Sequence, residues 1–434
     1  MRIAFFSPFN PQKTGVSDYS EELLPHLAGH AEIDLVVNGY PLSNAEIRNR
    51  FRILTPQEFM SNPGRYDMAV YQLANNLEQH GYMIPCMKRA PGIAVLHDYY
   101  LHYLMLGLTL MNGDMRSLDR ILRAKYGSGS TMLAHRILVG NFDPYQVSTT
   151  VPLINIGRGV IVHNRFGRSL AAADAGSRPV RVIPMGIPLR KVLDPREMKV
   201  RNGFRPGDFV LASASTLSHT KRIPVILKVL GTLCPRYPQL HFLILGGGRL
   251  GEDARQLIRS LNLESRVHRT GWLSMHSYWR HLNMADAVID MRYPSGAETS
   301  ASLLRAMSAA KPVIVSAHGS FLELEDDCCR KIPVGEAEQA GLCAAISELV
   351  ENPSLTASMG EASRRHIETT YRLDLAARSY AQFIREVRDT PWTEPVEDWF
   401  GERPALVTRK AYASVYKASR LVSLVRNYGL SDTV

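Results

Sequence analysis

RIAFFSPFNPQKTGVSDYSEELLPHL, residues 2–27, joins a short apolar run to a polar turn and then to a helical pattern. The run Ile3–Phe6 is rich in β-branched and aromatic residues, which is typical of a buried strand. Beyond the turn, Leu23 and Leu27 recur at helical spacing behind several acidic residues. This pattern predicts a helix with Ser17 as its N-cap. The chain therefore begins with a strand–turn–helix unit.

The same unit recurs in both halves of the chain. Helical patterns alternate with short apolar runs, and alternation of this kind predicts an α/β protein with two Rossmann-like, doubly wound domains facing each other across a cleft. The remaining predicted strands are 33–37, 68–71, 92–96, 160–162, 180–183, 209–212, 241–245, 287–290 and 312–316.

Interruptions of this pattern divide the chain. Prolines, a glycine and a run of charges break the apolar runs near 184–204. We predict an N-terminal domain over 1–190, a C-terminal domain over 191–372 and a helical extension over 373–434, whose return to the N-terminal domain is left open. The last part, 403–430, has six basic residues, no acidic one and an amphipathic pattern. It is interpreted either as a surface helix packed on the body or as a helix lying on an anionic membrane.

Composition limits the class of protein and its partners. The 434 residues are 45% hydrophobic and 21% charged, which excludes a disordered or fibrous chain. A net charge of +10 favours an anionic partner: nucleic acid, a phosphorylated small molecule or an anionic membrane surface. The five cysteines show no C-x-x-C spacing, so a reducing cytosol is expected. The apolar stretch 99–113 is shorter than the roughly 20 residues of a spanning helix.

Several turns after predicted strands are suited to an anion. Backbone amides near Gly15 and the helix behind them are one candidate, although G-x-G-x-x-G is absent. Lys221 and Arg222 follow another strand and are suited to a diphosphate. The glycine turn around Gly247 permits a close approach of the backbone. Plain structural turns and a solvated charge pair are the alternative interpretations.

The segment 293–307, YPSGAETSASLLRAM, places a carboxylate and hydroxyls at a junction between a loop and a helix. Thr299, Ser300 and the first free amides of the helix are donors for an anion. Glu298 is an acceptor for the hydroxyls of a sugar. Helix capping by an acidic residue is the alternative.

Over about 1–388 the sequence resembles the GT-B-fold retaining glycosyltransferases of family four, the glycosyl transferases of group 1. The resemblance rests on the opening segment, on VLHDYYLHYL, on VIPMGI, on HRTGWLSMHSYWRHLNMADAVID and above all on RYPSGAETSASLLRAMSAAKPVIVS. It implies a hexosyltransferase that uses a UDP- or GDP-linked sugar as co-substrate. Neither a metal nor any other cofactor is expected.

The resemblance also implies roles for individual residues. His97 corresponds to the family's active-site histidine, Glu298 to the first glutamate of its paired-glutamate motif, and Lys221 to the cation on the leaving diphosphate. Arg305 stands near the place of the second glutamate. The other residues implied in donor binding are Gly15, Thr216 (where the family often has arginine), Arg222, Gly247, Thr299 and Ser300. His80 and His163, which follow predicted strands, are interpreted either as acceptor-side residues or as ordinary loop histidines.

The implied function is transfer, with retention, of a hexose to a saccharide or lipid-linked saccharide in surface polysaccharide or glycolipid synthesis. The expected location is the cytoplasm, with peripheral contact to an anionic membrane as an open alternative. Transfer to a soluble small molecule is a second hypothesis. A third is a non-catalytic protein that binds a nucleotide sugar or nucleic acid, but no nucleic-acid-reading motif is present.

Overall fold

The computed structural model describes residues 1–214, 218–248, 250–392 and 399–400, which form two compact units. The described residues of the first unit are 1–186, 296–299, 373–392 and 399–400. Those of the second unit are 187–214, 218–248, 250–295 and 300–372. The chain thus changes unit after Gly186, and it returns to the first unit at Leu373.

The first unit is built on a seven-stranded parallel sheet of order β3-β2-β1-β4-β5-β6-β7. Its strands are β1 Arg2–Phe6, β2 Glu32–Val36, β3 Arg52–Leu54, β4 Met68–Leu73, β5 Ile93–Leu96, β6 Gly159–Val162 and β7 Val180–Val182. Its helices before the change of unit are α1 Gly15–Leu27, α2 Ala45–Arg50, α3 Pro56–Ser61, α4 Leu77–His80, α5 Met83–Arg89, α6 His102–Leu108, α7 Met115–Tyr126, α8 Ser130–Leu138, α9 Val151–Ile156 and α10 Arg165–Ala175.

The second unit has a six-stranded parallel sheet of order β10-β9-β8-β11-β12-β13. Its strands are β8 Phe209–Ser213, β9 Leu240–Leu245, β10 Val267–Gly271, β11 Ala287–Asp290, β12 Val313–Ser316 and β13 Cys329–Ile332. Its helices are α11 Pro195–Arg201, α12 Ile223–Leu233, α13 Glu252–Ser260, α14 Met275–Met284, α15 Ala301–Ser308, α16 Glu338–Glu351 and α17 Pro353–Thr370. The last described helix, α18 Leu373–Asp389, belongs to the first unit and packs along α1.

The predicted fold class is confirmed by these two sheets. Their central strands are almost entirely buried, as expected where helices cover both faces of a parallel sheet. The strands that sequence analysis missed are β3, β10 and β13, which all lie at a sheet edge. Edge strands are paired on one side only, and these three carry more polar residues, so they lack a continuous apolar run.

The N-cap prediction for the first helix was wrong. Helix α1 begins at Gly15, and Thr14 is its N-cap, with Thr14 Oγ1 accepting a hydrogen bond from the Ser17 backbone N–H at 3.0 Å. Ser17 instead lies buried in the first turn. Thr14 is the residue with extended backbone angles, which an N-cap requires.

Among the described residues, no helix combines the length and the apolar character needed to cross a membrane. The predicted basic tail, 403–430, lies outside the described residues.

Candidate functional site

In the first unit, three polar side chains lie near the carboxyl ends of adjacent strands. Gln72 belongs to β4, His97 follows β5, and His163 follows β6. His97 Nε2 lies 2.7 Å from Gln72 Oε1, and the rings of His97 and His163 have centroids 4.9 Å apart. The strand order β4-β5-β6 makes these residues neighbours, because the carboxyl ends of adjacent parallel strands share one edge of the sheet.

Burial keeps these imidazoles neutral. It lowers the pKa of His97 well below the usual value, and the nearby His163 and His80 lower it further. Burial also lowers the pKa of His163 to about 4. A neutral His97 that donates from Nε2 to Gln72 presents Nδ1 as a hydrogen-bond acceptor. His97 is therefore suited to accept a hydrogen bond from a hydroxyl.

Tyr19 of α1 packs against both imidazoles. Its ring centroid lies 5.5 Å from that of His97 and 5.3 Å from that of His163, both in edge-on geometry. The Tyr19 hydroxyl donates to the Tyr380 hydroxyl of α18 at 3.3 Å. Helix α18 therefore helps to position Tyr19 against the two imidazoles.

His80 and His163 were both predicted on the acceptor side. Both are buried, and each uses Nδ1 to contact a backbone carbonyl at 2.9 Å, that of Gln72 for His80 and that of Ile183 for His163. Burial lowers the pKa of His80 to about 4. These contacts orient the two rings, and their acceptor-side role stays a prediction.

The loop Gly296–Thr299 groups with the first unit and is held there by backbone and side-chain hydrogen bonds. The Tyr99 N–H donates to the Gly296 carbonyl at 2.8 Å. Asn164 Nδ2 donates to the Ala297 carbonyl and to Thr299 Oγ1, both at 2.9 Å. Ala297 has a φ of +63°, a conformation that disfavours a side chain and needs support from its surroundings.

These hydrogen bonds place Glu298 near Asp98, the residue that follows His97. A Cβ added to Gly296 would lie 3.1 Å from Glu298 Oε2 and 3.7 Å from Asp98 Oδ1, so both carboxylates lie against this glycine. Asp98 is itself oriented by the Asn75 N–H, which donates to Asp98 Oδ2 at 3.1 Å. Two predicted site residues, His97 and Glu298, thus belong to one unit and to segments that are hydrogen-bonded to each other.

Gly15 is the first residue of α1, and it is exposed. A Cβ at this position would meet no atom within 4 Å. The N-terminus of a 13-residue helix with open space at its first residue is compatible with an anionic ligand.

In the second unit, Lys221 is part of a buried ionic network. Lys221 Nζ donates to Asp290 Oδ1 at 2.7 Å. The other carboxylate oxygen accepts from the Ser300 hydroxyl at 2.5 Å and from Arg292 Nη2 at 3.3 Å. Ser300 is in turn the N-cap of α15 and accepts from the Leu303 N–H at 3.3 Å. The predicted residues Lys221 and Ser300 are therefore linked through one carboxylate.

The ionised state of Asp290 depends on this network. Burial alone would raise its pKa, but the charges of Lys221 and Arg292 and the hydrogen bonds outweigh burial and lower the pKa well below its usual value. Asp290 is consequently charged at neutral pH. Its contact with Lys221 Nζ fixes the ammonium group in place.

Arg222 contacts a different carboxylate. Its Nε donates to Glu338 Oε1 at 3.0 Å, and Arg222 Nη2 contacts Glu338 Oε2. The Glu338 side chain is buried, whereas that of Arg222 is partly exposed. Lys221 and Arg222 are adjacent in sequence, yet the fold directs them to separate carboxylates. A joint hold on a diphosphate by this pair stays a prediction.

The other predicted donor residues are placed as follows. Gly247 lies in the turn after β9, and a Cβ there would be 3.6 Å from Trp272 Cε3. The glycines on either side of it have φ of +133° and +100°, which only glycine adopts readily. Thr216 lies outside the described residues. Arg305 is buried on α15, near the place of the family's second glutamate.

Within the described part of the chain, no three histidine, cysteine or acidic side chains form a group that could hold a metal ion.

The site residues predicted from the sequence do not include Gln72, Asn164, Asp98 or Asp290. Two of these had a readable signal. Asn164 precedes a helical pattern, as an N-cap does, and Asp290 is a carboxylate at the end of an otherwise apolar strand. Gln72 is a single polar residue next to the end of an otherwise apolar strand, and its neighbours in sequence give no sign of its contact with His97.

Comparison with known proteins supports the family resemblance. Residues 194–366 match the family described as "Glycosyl transferases group 1", which confirms the resemblance seen in the sequence. The curated protein "Putative glycosyltransferase EpsD" of Bacillus subtilis (strain 168) is 21% identical over 174 residues. That match covers 40% of this chain and 44% of EpsD, so it spans less than half of the relative.

Solved structures confirm the GT-B fold over most of the chain. The complex of Anabaena Alr3699/HepE with UDP-glucose is similar, with a TM-score of 0.63 and 16% identity over 89% of this chain and 100% of that one. WaaG, "a glycosyltransferase involved in lipopolysaccharide biosynthesis", has a TM-score of 0.58 and 14% identity over 88% of this chain and 99% of that one.

Proposed function

We propose that this chain is a retaining glycosyltransferase that moves a hexose from a UDP- or GDP-linked sugar to a saccharide or lipid-linked saccharide acceptor. The family match over residues 194–366 supports glycosyl transfer. The UDP-glucose bound to the structurally similar HepE supports a nucleotide sugar as donor. The involvement of the structurally similar WaaG in lipopolysaccharide biosynthesis supports a role in the assembly of surface polysaccharide or glycolipid.

The observation that carries the proposal is the association of His97 with the loop of Glu298 in the first unit. The hydrogen bond from Tyr99 to Gly296 ties the segment after β5 to this loop. A neutral histidine and a carboxylate are complementary acceptors for the hydroxyls of a sugar. This arrangement favours a carbohydrate ligand over nucleic acid, whose recognition rests on cations at phosphates.

Charge stabilisation at the leaving group is the other requirement. As the bond to the sugar breaks, negative charge grows on the β-phosphate of the nucleoside diphosphate. Lys221 is proposed to bind this phosphate, with Arg222 and the free amides at the start of α15 as further donors. Asp290 holds the Lys221 ammonium in advance, so little reorganisation is needed during the reaction. No step of this scheme requires a metal.

The anomeric configuration of the sugar is proposed to be retained because the acceptor hydroxyl attacks the face of the sugar from which the phosphate leaves. The leaving phosphate accepts the proton of the acceptor hydroxyl, the bond from the sugar to the phosphate oxygen breaks, and the bond to the acceptor oxygen forms. Glu298 would hold the hydroxyls of the transferred sugar, and His97 would accept a hydrogen bond from the sugar or the acceptor. The proposed location is the cytoplasm, with peripheral contact to the membrane.

The test is hydrolysis of a panel of UDP- and GDP-linked hexoses by the full chain, with release of the nucleoside diphosphate as readout. Glu298→Gln preserves the shape of the side chain and removes its charge, and we expect at least about a hundredfold loss of turnover. Exposed Glu361→Gln on α17 is the matched control and should leave turnover unchanged.

Lys221→Ala should also abolish turnover, but it leaves Asp290 without its main partner. Its folded state is therefore checked by circular dichroism, and its affinity for UDP and GDP by calorimetry. Absence of both turnover and binding with every donor would refute the proposal. Binding without turnover, unaffected by Glu298→Gln, would instead favour a non-catalytic nucleotide-sugar-binding protein.

A further inference from the structure

Two adjacent cysteines stand at the start of the edge strand β13 in the second unit. Cys328 is the residue before the strand and Cys329 is its first residue, and both are buried free thiols. Cys328 Sγ donates to the Glu325 carbonyl at 3.1 Å, and Cys329 Sγ donates to the same oxygen at 3.2 Å. Successive side chains of a regular strand point to opposite faces, whereas these two sulfur atoms meet at one acceptor. We call this pair the 328–329 dithiol.

The neighbours of the dithiol make its two sulfur atoms chemically different. The interaction with the Cys328 thiol lowers the pKa of Cys329. The charges of Lys331 and Arg330 lower it further, against the opposing effect of burial. The interaction with Cys329 and burial raise the pKa of Cys328. Because the thiolate is the nucleophilic form of cysteine, Cys329 is the more reactive of the two.

The dithiol directly follows an exposed segment of chain. Residues 325–327 are exposed, and the carbonyl that both sulfur atoms contact belongs to the first of them. The backbone of Cys328 is fixed separately, because its carbonyl accepts from the Val313 N–H at 3.2 Å and from the Ser363 hydroxyl at 3.2 Å. A local movement of the segment 325–327 can therefore open the sulfur atoms to a small ligand while β13 stays paired with β12.

The number of available ligand atoms decides what this site can hold. Among the described residues, no third histidine, cysteine or acidic side chain joins the pair in a group suited to a metal ion, whereas structural zinc takes four ligands. A disulfide within the pair is disfavoured, because Cα atoms joined by a trans peptide lie about 3.8 Å apart and unstrained disulfides span roughly 4.4–6.8 Å. A trivalent arsenic atom with one organic substituent needs two sulfur ligands, and its insertion between them avoids the short sulfur–sulfur bond.

We propose that the 328–329 dithiol is a binding site for trivalent arsenicals, organic arsenoxides of the form R–As=O. The Cys329 sulfur attacks the arsenic atom first, and the Cys328 sulfur then closes the ring. Two sulfur–arsenic bonds form, the arsenic–oxygen bond breaks, and the oxygen leaves as water with the two thiol protons, so arsenic stays trivalent. The inference goes beyond glycosyl transfer and uses none of the residues assigned to the sugar or the phosphates.

The test is capture of phenylarsine oxide by the folded full chain, with intact mass spectrometry as readout. We expect one phenylarsenic group per chain, retained in excess glutathione and released by 2,3-dimercaptopropanol, because two sulfur bonds hold it at once. Peptide mapping of the labelled wild type should place the group on residues 328–329. This measurement locates the site without any variant.

Single substitutions test the need for both sulfur atoms. Cys328→Ser and Cys329→Ser each leave one thiol, and retention of the arsenical in glutathione should fall at least about a hundredfold in both. Serine keeps a donor for the Glu325 carbonyl, and circular dichroism checks that each variant is folded. The matched control is Cys343→Ser on α16, which removes a partly exposed thiol and should capture the arsenical as the wild type does.

Three outcomes would overturn the inference. The first is a folded wild type that captures no arsenical, whatever the chain unfolded in urea does. The second is capture that maps to other cysteines or survives in both serine variants. The third is loss of two hydrogen atoms from the pair in glutathione disulfide without any capture of the arsenical, which would make the dithiol a redox couple.

Discussion

At the scale of the residue, the candidate site depends on buried charges that are paired inside the protein. Asp290 contacts Lys221, Arg292 and Ser300, and Glu338 contacts Arg222. Removing a charge from water is costly, and a buried ion is tolerated only when its partners replace the lost hydration. The cations expected to meet a diphosphate are thus also structural. Loss of activity on substitution has to be separated from loss of folding.

Lys221→Met tests this double role. The substitution leaves the buried Asp290 carboxylate with weaker partners, and we expect the free energy of unfolding to fall by about 3 kcal/mol in urea titrations at pH 7. Asp290→Asn removes the charge that Lys221 compensates. A double variant less destabilised than the sum of the two singles, by more than about 1 kcal/mol, would show direct coupling. Additive effects would mean that Lys221 and Asp290 act independently.

At the scale of the element, the loop Gly296–Thr299 is positioned by the start of helix α10. Asn164 is the N-cap of that helix, because its Oδ1 accepts from the Gly167 N–H at 2.6 Å. Its Nδ2 simultaneously donates to Ala297 and Thr299. One side chain therefore caps a helix and orients the loop that bears Glu298.

Asn164→Asp separates these two tasks. Aspartate keeps an oxygen for the N-cap, and it replaces the amide donor by an oxygen that repels the Ala297 carbonyl. We expect stability to change by less than about 1 kcal/mol and kcat/KM for the donor to fall about tenfold or more. Asn164→Ala, which loses both contacts, should lower both quantities. Unchanged kinetics in Asn164→Asp would show that the loop does not need this bond.

At the scale of the whole molecule, the first unit contains four buried histidines that stay neutral. Burial lowers the pKa of His80 and His163 to about 4 and that of His102 to about 3, and it lowers that of His97 as well. In the unfolded chain these groups titrate near a pKa of about 6.5. Between about pH 6.5 and 4 the unfolded state binds more protons than the folded state, so stability falls as the pH falls.

Acid unfolding of the first unit follows from this difference. We expect its stability to fall by up to about 1.4 kcal/mol per pH unit for each histidine below pH 6.5. Neither ring nitrogen of the buried His102 has a hydrogen-bond partner among the described residues. His102→Leu should therefore raise stability at pH 7 by about 1 kcal/mol and reduce proton uptake on unfolding by one. Urea titrations from pH 7 to 5 measure both, and an unchanged slope in the variant would contradict the assignment.

Much of this architecture was predictable because parallel sheets impose a simple pattern. A strand covered on both faces has to be apolar throughout, so β1, β4, β5, β8 and β9 were visible as short hydrophobic runs. Edge strands are paired on one side only and need not be apolar throughout. For this reason β3, β10 and β13 were not recognised in the sequence.

The order of apolar runs and helical patterns was enough to predict two doubly wound sheets. It put Lys221 after a predicted strand and Glu298 before a predicted helix, whereas His97 was identified through the family resemblance. The partners of site residues were set by the folded chain alone. Gln72 and His97 are 25 residues apart, Lys221 and Asp290 are 69 apart, and Asn164 and Ala297 are 133 apart. Such pairs depend on the order of the strands in the sheet and on where the chain returns to the first unit. A hydrogen bond forms only when the fold brings the two atoms within about 3 Å of each other. The spacing of residues along the sequence does not determine that distance.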